Sequence, residues 1–269
     1  MADVVRVDRR DNGVVQLTMN RPDALNALDA VLVGALHSAL RTLAVDNGVR
    51  AVVLTGEGRA FCAGLDLNGY GSPPGADLEE GRPQAGLRVQ QHIAGLVDAF
   101  RSMRAPVIAA VNGAAAGGGL ALALMADIRI VAEDAQLHAA FIRRGLSNCD
   151  IGMSWLLPRM IGFSRSAEIM LTGRAVDAAE AERIGIASYV VPPEALLDRA
   201  HATADAIVQH SPFGVWMTKE VMWSNLETPS QRAAIDLENR TQILSSMTKD
   251  HREAVHSFLD KRPPNFLNK

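Results

Sequence analysis

The chain has 269 residues, 48% of them hydrophobic and 21% charged, which fits a globular protein with a substantial core and excludes a disordered or fibrous chain. A formal net charge of −3 offers no basic surface for nucleic acid, and two cysteines, Cys62 and Cys149, are too few for a disulfide framework. With a charged opening, MADVVRVDRRDNG, that lacks the apolar run of a secretory signal, these features predict a cytoplasmic protein.

Val4 to Asp8 and Val14 to Met19 are rich in β-branched residues and flank Asp11-Asn12-Gly13, which predicts a hairpin. Pro22 ends the second strand. Asp29 is placed to cap a helix with Val31, Leu32, Ala35, Leu36, Ala39, Leu40 and Leu43 on one face, and Ala51 to Thr55 follows as a strand. Gly69 to Gly86 holds Gly, Pro and acidic residues without apolar periodicity, the pattern of a mobile loop. A helix near Leu87 to Phe100 precedes a strand from Pro106, a glycine-rich turn, an apolar helix and a strand over Ile128 to Val131. The recurring order of strand, turn, helix and strand predicts an α/β core with parallel pairing.

From Ser164 onward the pattern is mostly helical. Leu196, Leu197, Ala200, Ala204, Ile207 and Val208 form one stripe, and Thr228 is placed to cap a helix through Leu244. The last helix ends near Leu259, with Phe258 as its expected core anchor. We divide the chain into an α/β core over 1–199 and a helical region over 200–269. Val107 to Ala126 is long enough to span a membrane, but Asn112-Gly113 and three consecutive glycines split it into two short buried elements.

Those glycines, Gly117, Gly118 and Gly119, sit where the apolar helix begins. Without Cβ atoms they let a ligand atom approach the backbone, and the first N–H groups of a helix lack internal partners and carry positive charge. Such a place suits a negative oxygen. Leu120-Ala121 follows where a phosphate loop needs Lys-Ser/Thr, and the spacing fails the dinucleotide fingerprint, so the pattern suits a carbonyl better than a triphosphate.

Several ordered segments together resemble the crotonase, or enoyl-CoA hydratase/isomerase, superfamily. They are MNRPDALNALD (Met19 to Asp29), VVLTGEGRAFCAGLDL (Val52 to Leu67), PVIAAVNGAAAGGG (Pro106 to Gly119), LLPRMIG (Leu156 to Gly162) and LTGRAVDAAEAERIGIASYVV (Leu171 to Val191). The resemblance implies a crotonase-like spiral of ββα repeats, with two nearly perpendicular sheets and a C-terminal helical trimerisation region. It implies a trimer or dimer of trimers acting on a coenzyme A thioester, with no cofactor besides that CoA and no metal. Carried onto this chain, the oxyanion hole would be the N–H groups of Leu65 and Gly118. Ala24, Ala63, Asp66 and Leu67 would line the adenine and pantetheine pocket, and Arg59 would face a CoA phosphate. The tail with Phe258, Lys261, Arg262 and Phe266 is similar to the family tail that contacts CoA.

Family hydratases carry two glutamates that position the added water, one just after the glycine run and one twenty residues later. Here those positions hold Ala121 and Phe141, neither of which can move a proton, so the usual hydratase mechanism is not available. Phe141 suggests an apolar wall beside the acyl chain. In some family isomerases a single Asp sits in the next loop, and Asp150 matches it with one more residue after Gly145. An isomerase needs only one base, so the resemblance favours isomerisation of an enoyl-CoA in fatty-acid or related acid degradation, with Asp150 as base. The alternatives are an atypical hydratase or acyl-CoA hydrolase, and an acyl-CoA-binding protein without catalysis. Asp150 has a plainer reading as a helix cap. His138 reads as structural by strand alternation, Cys149 lacks a His partner, and Ser154 misses the nucleophile elbow at its last position.

Overall fold

The computed structural model describes residues 3–77 and 79–269. Strands β1 (Val5–Arg9) and β2 (Val14–Met19) form the expected antiparallel hairpin, with Val5 opposite Met19. A 3-10 turn over Pro22–Ala24 leads to α1 (Ala30–Val45), where Asp29 Oδ1 accepts the Leu32 N–H at 2.8 Å. Leu32, Val33, Leu36, Leu40 and Leu43 are buried, whereas Val31, expected on that face, is exposed.

From there the chain repeats one unit: a strand of a large sheet, a short strand of a small sheet, then helix. The first unit is β3 (Ala51–Gly56), β4 (Ala60–Cys62) and α2 (Arg82–Arg101). The second is β5 (Val107–Val111), β6 (Ala114–Ala116) and α3 (Gly118–Met125). The third is β7 (Ile128–Ala132) and β8 (Gln136–His138), then a 3-10 turn over Phe141–Arg144 and helices α4 (Met153–Ile161) and α5 (Phe163–Thr172). β9 (Ala175–Asp177), α6 (Ala178–Ile184) and β10 (Tyr189–Val191) close the spiral.

The large sheet runs β1-β2-β3-β5-β7-β10 and is parallel from β2 onward; the small sheet runs β4-β6-β8-β9 with only β9 antiparallel. Every residue of β3 and β5 is buried, as parallel strands covered on both faces require. α2 begins at Arg82 rather than near Leu87, because Gly81 and Pro83 supply the entry and the preset φ of a first turn.

Four more helices follow: α7 (Leu196–Val208), α8 (Pro212–Asn225), α9 (Gln231–Ser246) and α10 (Lys249–Leu259). Residue 199, where the sequence reading divides the chain, lies inside α7, which packs over β2, β3, β5 and β7 through buried Leu196, Ala200 and Ala204. Leu197, assigned to that stripe, is exposed instead. Ser230 rather than Thr228 caps α9, its Oγ accepting the Ala233 N–H at 3.2 Å, while the Thr228 hydroxyl donates back to the Ser224 carbonyl. Phe258 is 81% exposed, not a core anchor; with Met247, Ile243 and Leu259 it gives α9 and α10 an apolar outer surface. Among the described residues no helix is long and apolar enough to cross a membrane.

A buried ion pair ties α8 to the sheet. Lys219 Nζ lies 2.9 Å from Asp127 Oδ2 and 3.1 Å from the Ala105 carbonyl, and Trp223 Nε1 donates to Asp127 Oδ1 at 2.7 Å. Burial pulls the Lys219 ammonium below its ordinary range, and Asp127 opposes that pull. Truncating one partner of a buried pair strands the other's charge, so Lys219→Ala is expected to lower unfolding free energy in urea by about 3 kcal/mol.

Candidate active site

Two loops meet where β4 and β6 of the small sheet end. After β4, Gly64 takes φ +89°, a conformation that L side chains rarely adopt, and a Cβ there would sit 2.6 Å from the Ala116 carbonyl and 3.4 Å from Gly118 N. The glycine is therefore what lets this loop lie against the start of α3. Leu28 and Leu65 form a parallel bridge in which Leu28 N–H donates to the Gly64 carbonyl at 2.7 Å and Asp66 N–H donates to the Leu28 carbonyl at 3.0 Å. Alternation along extended backbone then turns the Leu65 N–H away from Leu28.

After β6, Gly117 takes φ +50° and donates its N–H to the His138 carbonyl at 2.9 Å, which pins the turn to β8. Gly118 opens α3, and as a first-turn N–H it has no acceptor within the helix. Gly119 is packed so closely that a Cβ would lie 2.0 Å from the Cys62 carbonyl. Among the described residues neither Leu65 nor Gly118 N–H donates to any protein acceptor. Two unspent donors on two touching loops are an arrangement that can hold one negative oxygen.

The remaining walls come from four segments. The Phe141 ring lies 3.3 Å from where a Gly117 Cβ would be, and Ala121, fully buried, sits one turn into α3. Ile151 Cδ1 and Leu28 Cδ1 lie 3.4 and 2.8 Å from the corresponding position on Gly118. Ile151 has φ +45°, which for a β-branched residue stores strain of about 1–2 kcal/mol; its side chain is buried, which holds it there.

That turn presents Asp150. Its Oδ1 accepts the Ile151 N–H at 2.7 Å and an N–H from the Gln90 side chain on α2, and among the described residues Oδ2 accepts none. Asp150 is not a side-chain cap: Gly152 precedes α4, and only the Asp150 backbone carbonyl accepts from Met153 N–H, at 2.8 Å. The structure thus brings the Leu65 loop and Gly118 together, sets the Phe141 ring against Gly117 and the Ile151 side chain against Gly118, and places Asp150 one residue before Ile151, on a turn tied to α2. His138 contributes its carbonyl to the Gly117 turn, while burial, aided by Arg143, lowers its imidazole pKa and favours the neutral form.

The other residues singled out from sequence lie in the 3-10 turn and in the segments on either side of β4. The turn carrying exposed Arg59 packs on the 3-10 turn that ends in Ala24, a Cβ on Gly58 meeting Pro22 at 3.0 Å. No carboxylate pairs with Arg59 among the described residues. Leu67 is exposed, and Ala63 donates its N–H to the Leu25 carbonyl at 3.0 Å. The Asp66 carboxylate is already taken, accepting from Asn68 N–H at 3.0 Å and from Arg21 at 3.0 Å; these bonds hold it below the usual carboxylate range.

Sequence reasoning passed over Gln90 and Asn26, and it reaches Ile151 only as an apolar neighbour of Asp150. Asn26 is fully buried; its Nδ2 donates to the Glu57 and Ala60 carbonyls at 3.0 and 2.8 Å, and its Oδ1 accepts the Arg21 N–H at 2.8 Å. It thereby welds the 3-10 turn to the β3–β4 turn. An amide flanked by Leu25, Ala27 and Leu28 was the available signal. Among the described residues no group of three or more His, Cys, Asp or Glu is placed to hold a metal ion.

The two thiols differ sharply. Cys62 is fully buried and its thiol is pushed up to about 12 by burial, while Cys149 is exposed beside Asp150. A thiol reagent is expected to titrate one cysteine per folded chain and two after denaturation, and acyl-CoA should slow the first reaction.

The family model described as enoyl-CoA hydratase/isomerase matches residues 9–269. A probable enoyl-CoA hydratase, EchA12, of Mycobacterium tuberculosis is 42% identical over 266 residues, covering 98% of this chain and 93% of that protein. The 1,2-epoxyphenylacetyl-CoA isomerase of Escherichia coli is 37% identical over 259 residues, covering 96% and 97%. A crystal structure of a probable enoyl-CoA hydratase/isomerase from Mycobacterium abscessus superposes with TM-score 0.90 at 39% identity, covering 99% of each chain. The chain is a member of the enoyl-CoA hydratase/isomerase family, with the crotonase fold.

Proposed function

We propose that this family member shifts the double bond of an enoyl-CoA through a thioester enolate. Asp150 Oδ2 takes a proton from the α carbon and returns it to the γ carbon. The Leu65 and Gly118 N–H groups hold the thioester oxygen while it carries the charge. Atoms balance without water or a cofactor, because the C–H bond broken at one carbon is replaced by one formed two carbons away. Two prearranged donors matter because losing one can cost about 3 kcal/mol of transition-state stabilisation. Ala24, Ala63, Asp66 and Leu67 form the shelf for pantetheine and adenine, and Arg59 faces a CoA phosphate; Asp66 contributes shape rather than a free polar group, since its carboxylate is spent on Arg21 and Asn68 and its N–H on the Leu28 carbonyl.

The observation that carries this reading is the pairing of a single carboxylate, on the turn whose Ile151 touches Gly118, with Ala121 and Phe141 where a water-positioning pair would stand. The E. coli relative is named an isomerase, and the M. tuberculosis relative a hydratase. That second name supports a competing reading in which water is held by other groups. Parallel assays separate the two. We expect a 3-enoyl-CoA to be converted to its 2-enoyl isomer and crotonyl-CoA to be hydrated at least a hundredfold more slowly; comparable hydration, undiminished in Asp150→Asn, would sink the isomerase.

The exposed apolar side chains of α9 and α10 support assembly as a homotrimer or dimer of trimers. Light scattering should give three or six times 28.8 kDa.

A further inference from the structure

A carboxylate on a solvent-facing turn turns freely about χ1 and χ2 unless something holds it, and a base that samples many directions is seldom aimed at its carbon. Asp150 is held from two sides: its own turn gives the Ile151 N–H, and α2 gives the Gln90 amide, from sixty positions earlier in the chain. Both donors converge on Oδ1. With that oxygen occupied by two donors, the plane of the carboxylate is fixed and Oδ2 is the oxygen left to exchange a proton.

The platform behind Gln90 is stiff. Ile93, Leu96 and Phe100 bury the inner face of α2, and Arg88, one half-turn before Gln90, grips Glu80 at 2.5 and 3.1 Å. His92 on the same helix meets the Tyr70 hydroxyl at 2.7 Å, and the Tyr70 carbonyl accepts the Ala30 N–H at 2.7 Å. The helix that aims Asp150 is thereby braced to the loop that follows Leu65. A surface glutamine with no task would be solvated by water and would gain little from reaching across to another segment.

We infer that Gln90 is a positioning residue that orients the Asp150 carboxylate through its side-chain amide; the inference rests on the reading of Asp150 as the base. Gln90→Met keeps length and volume but removes the donor, and Gln90→Glu keeps shape and helix propensity but sets a second negative charge against Asp150. On a 3-enoyl-CoA, kcat is expected to fall by about tenfold in Gln90→Met, and further in Gln90→Glu, with KM within about twofold of the parent. A merely structural surface position would tolerate Glu at least as well as Met.

Unchanged kcat in Gln90→Met beside an inactive Asp150→Asn would overturn the inference while leaving the base assigned. A rise in KM at constant kcat would also overturn it, since Gln90 would then be a substrate contact. Full activity in Asp150→Asn would remove the base and the inference with it. A crystal structure of Gln90→Met decides the point without turnover: Asp150 spread over several rotamers supports the role, and an unmoved carboxylate contradicts it.

Discussion

Asp150→Asn is expected to lower kcat for the proposed isomerisation of a 3-enoyl-CoA by about a thousandfold while the chain stays folded, within the range that one acid-base group supplies. Asparagine preserves the shape of the site. Its carbonyl oxygen can still accept from Ile151 and Gln90, the two donors that meet Oδ1, so the turn and the strained Ile151 stay where they are. What is lost is the oxygen that takes a proton. The loss should therefore appear in kcat, with KM for the thioester and the urea midpoint near the parent values. No neighbouring group replaces it: Ala121 and Phe141 cannot titrate, and His138 is joined to the site through its backbone carbonyl. A fall in stability matching the fall in rate would assign Asp150 a structural role instead.

Gly64→Ala is expected to have the second large effect, through the proposed oxyanion donors rather than through the proton. The added methyl meets the Ala116 carbonyl at 2.6 Å in a backbone at φ +89°, so the 63–66 segment must shift and carry the Leu65 N–H with it. Misplacing one of two donors is expected to lower kcat by about a hundredfold. The left-handed conformation adds a stability loss of about 1–2 kcal/mol. Gly185→Ala is the control: it lies in the left-handed region with φ +91°, and the nearest atom to the new methyl, the Met160 carbonyl oxygen, is 3.9 Å away, an ordinary contact. It should lose comparable stability and keep full activity. Equal activity losses in the two variants would show that a general backbone effect, not the donor pair, explains Gly64.

What the sequence made legible is mostly local. The hairpin across Asp11-Asn12-Gly13, the Asp29 cap and the helix start at Gly117 to Gly119 each depend on a few adjacent residues, and the structure has all three. β4 and β6, three residues each, are too short to declare an alternation, so the second sheet was visible only through the family resemblance. A bulky apolar side chain on a helix is usually buried, which puts Phe258 in the core by rule; the rule has no means of seeing a helix whose apolar side chain is exposed.

The candidate site divides in the same way. Gly118 stands in a glycine run that is legible by itself, whereas Leu65 and Asp150 are reached only through the family resemblance. Gln90 is reached by neither route, because its partner lies on another element and an exposed glutamine on a helix looks like any other solvated side chain. Ile151 is legible as an apolar neighbour of Asp150, but its left-handed conformation is not, because local propensity favours another residue there and buried packing near Gly118 holds it.

A crystal structure with an unreactive acyl-CoA bound tests the central claim most directly. The thioester oxygen is expected within about 3 Å of both the Leu65 and Gly118 nitrogens, with Asp150 Oδ2 as the titratable atom nearest the α and γ carbons. A thioester oxygen held elsewhere, or a nearer approach by His138 or Cys149 than by Asp150, would contradict that claim.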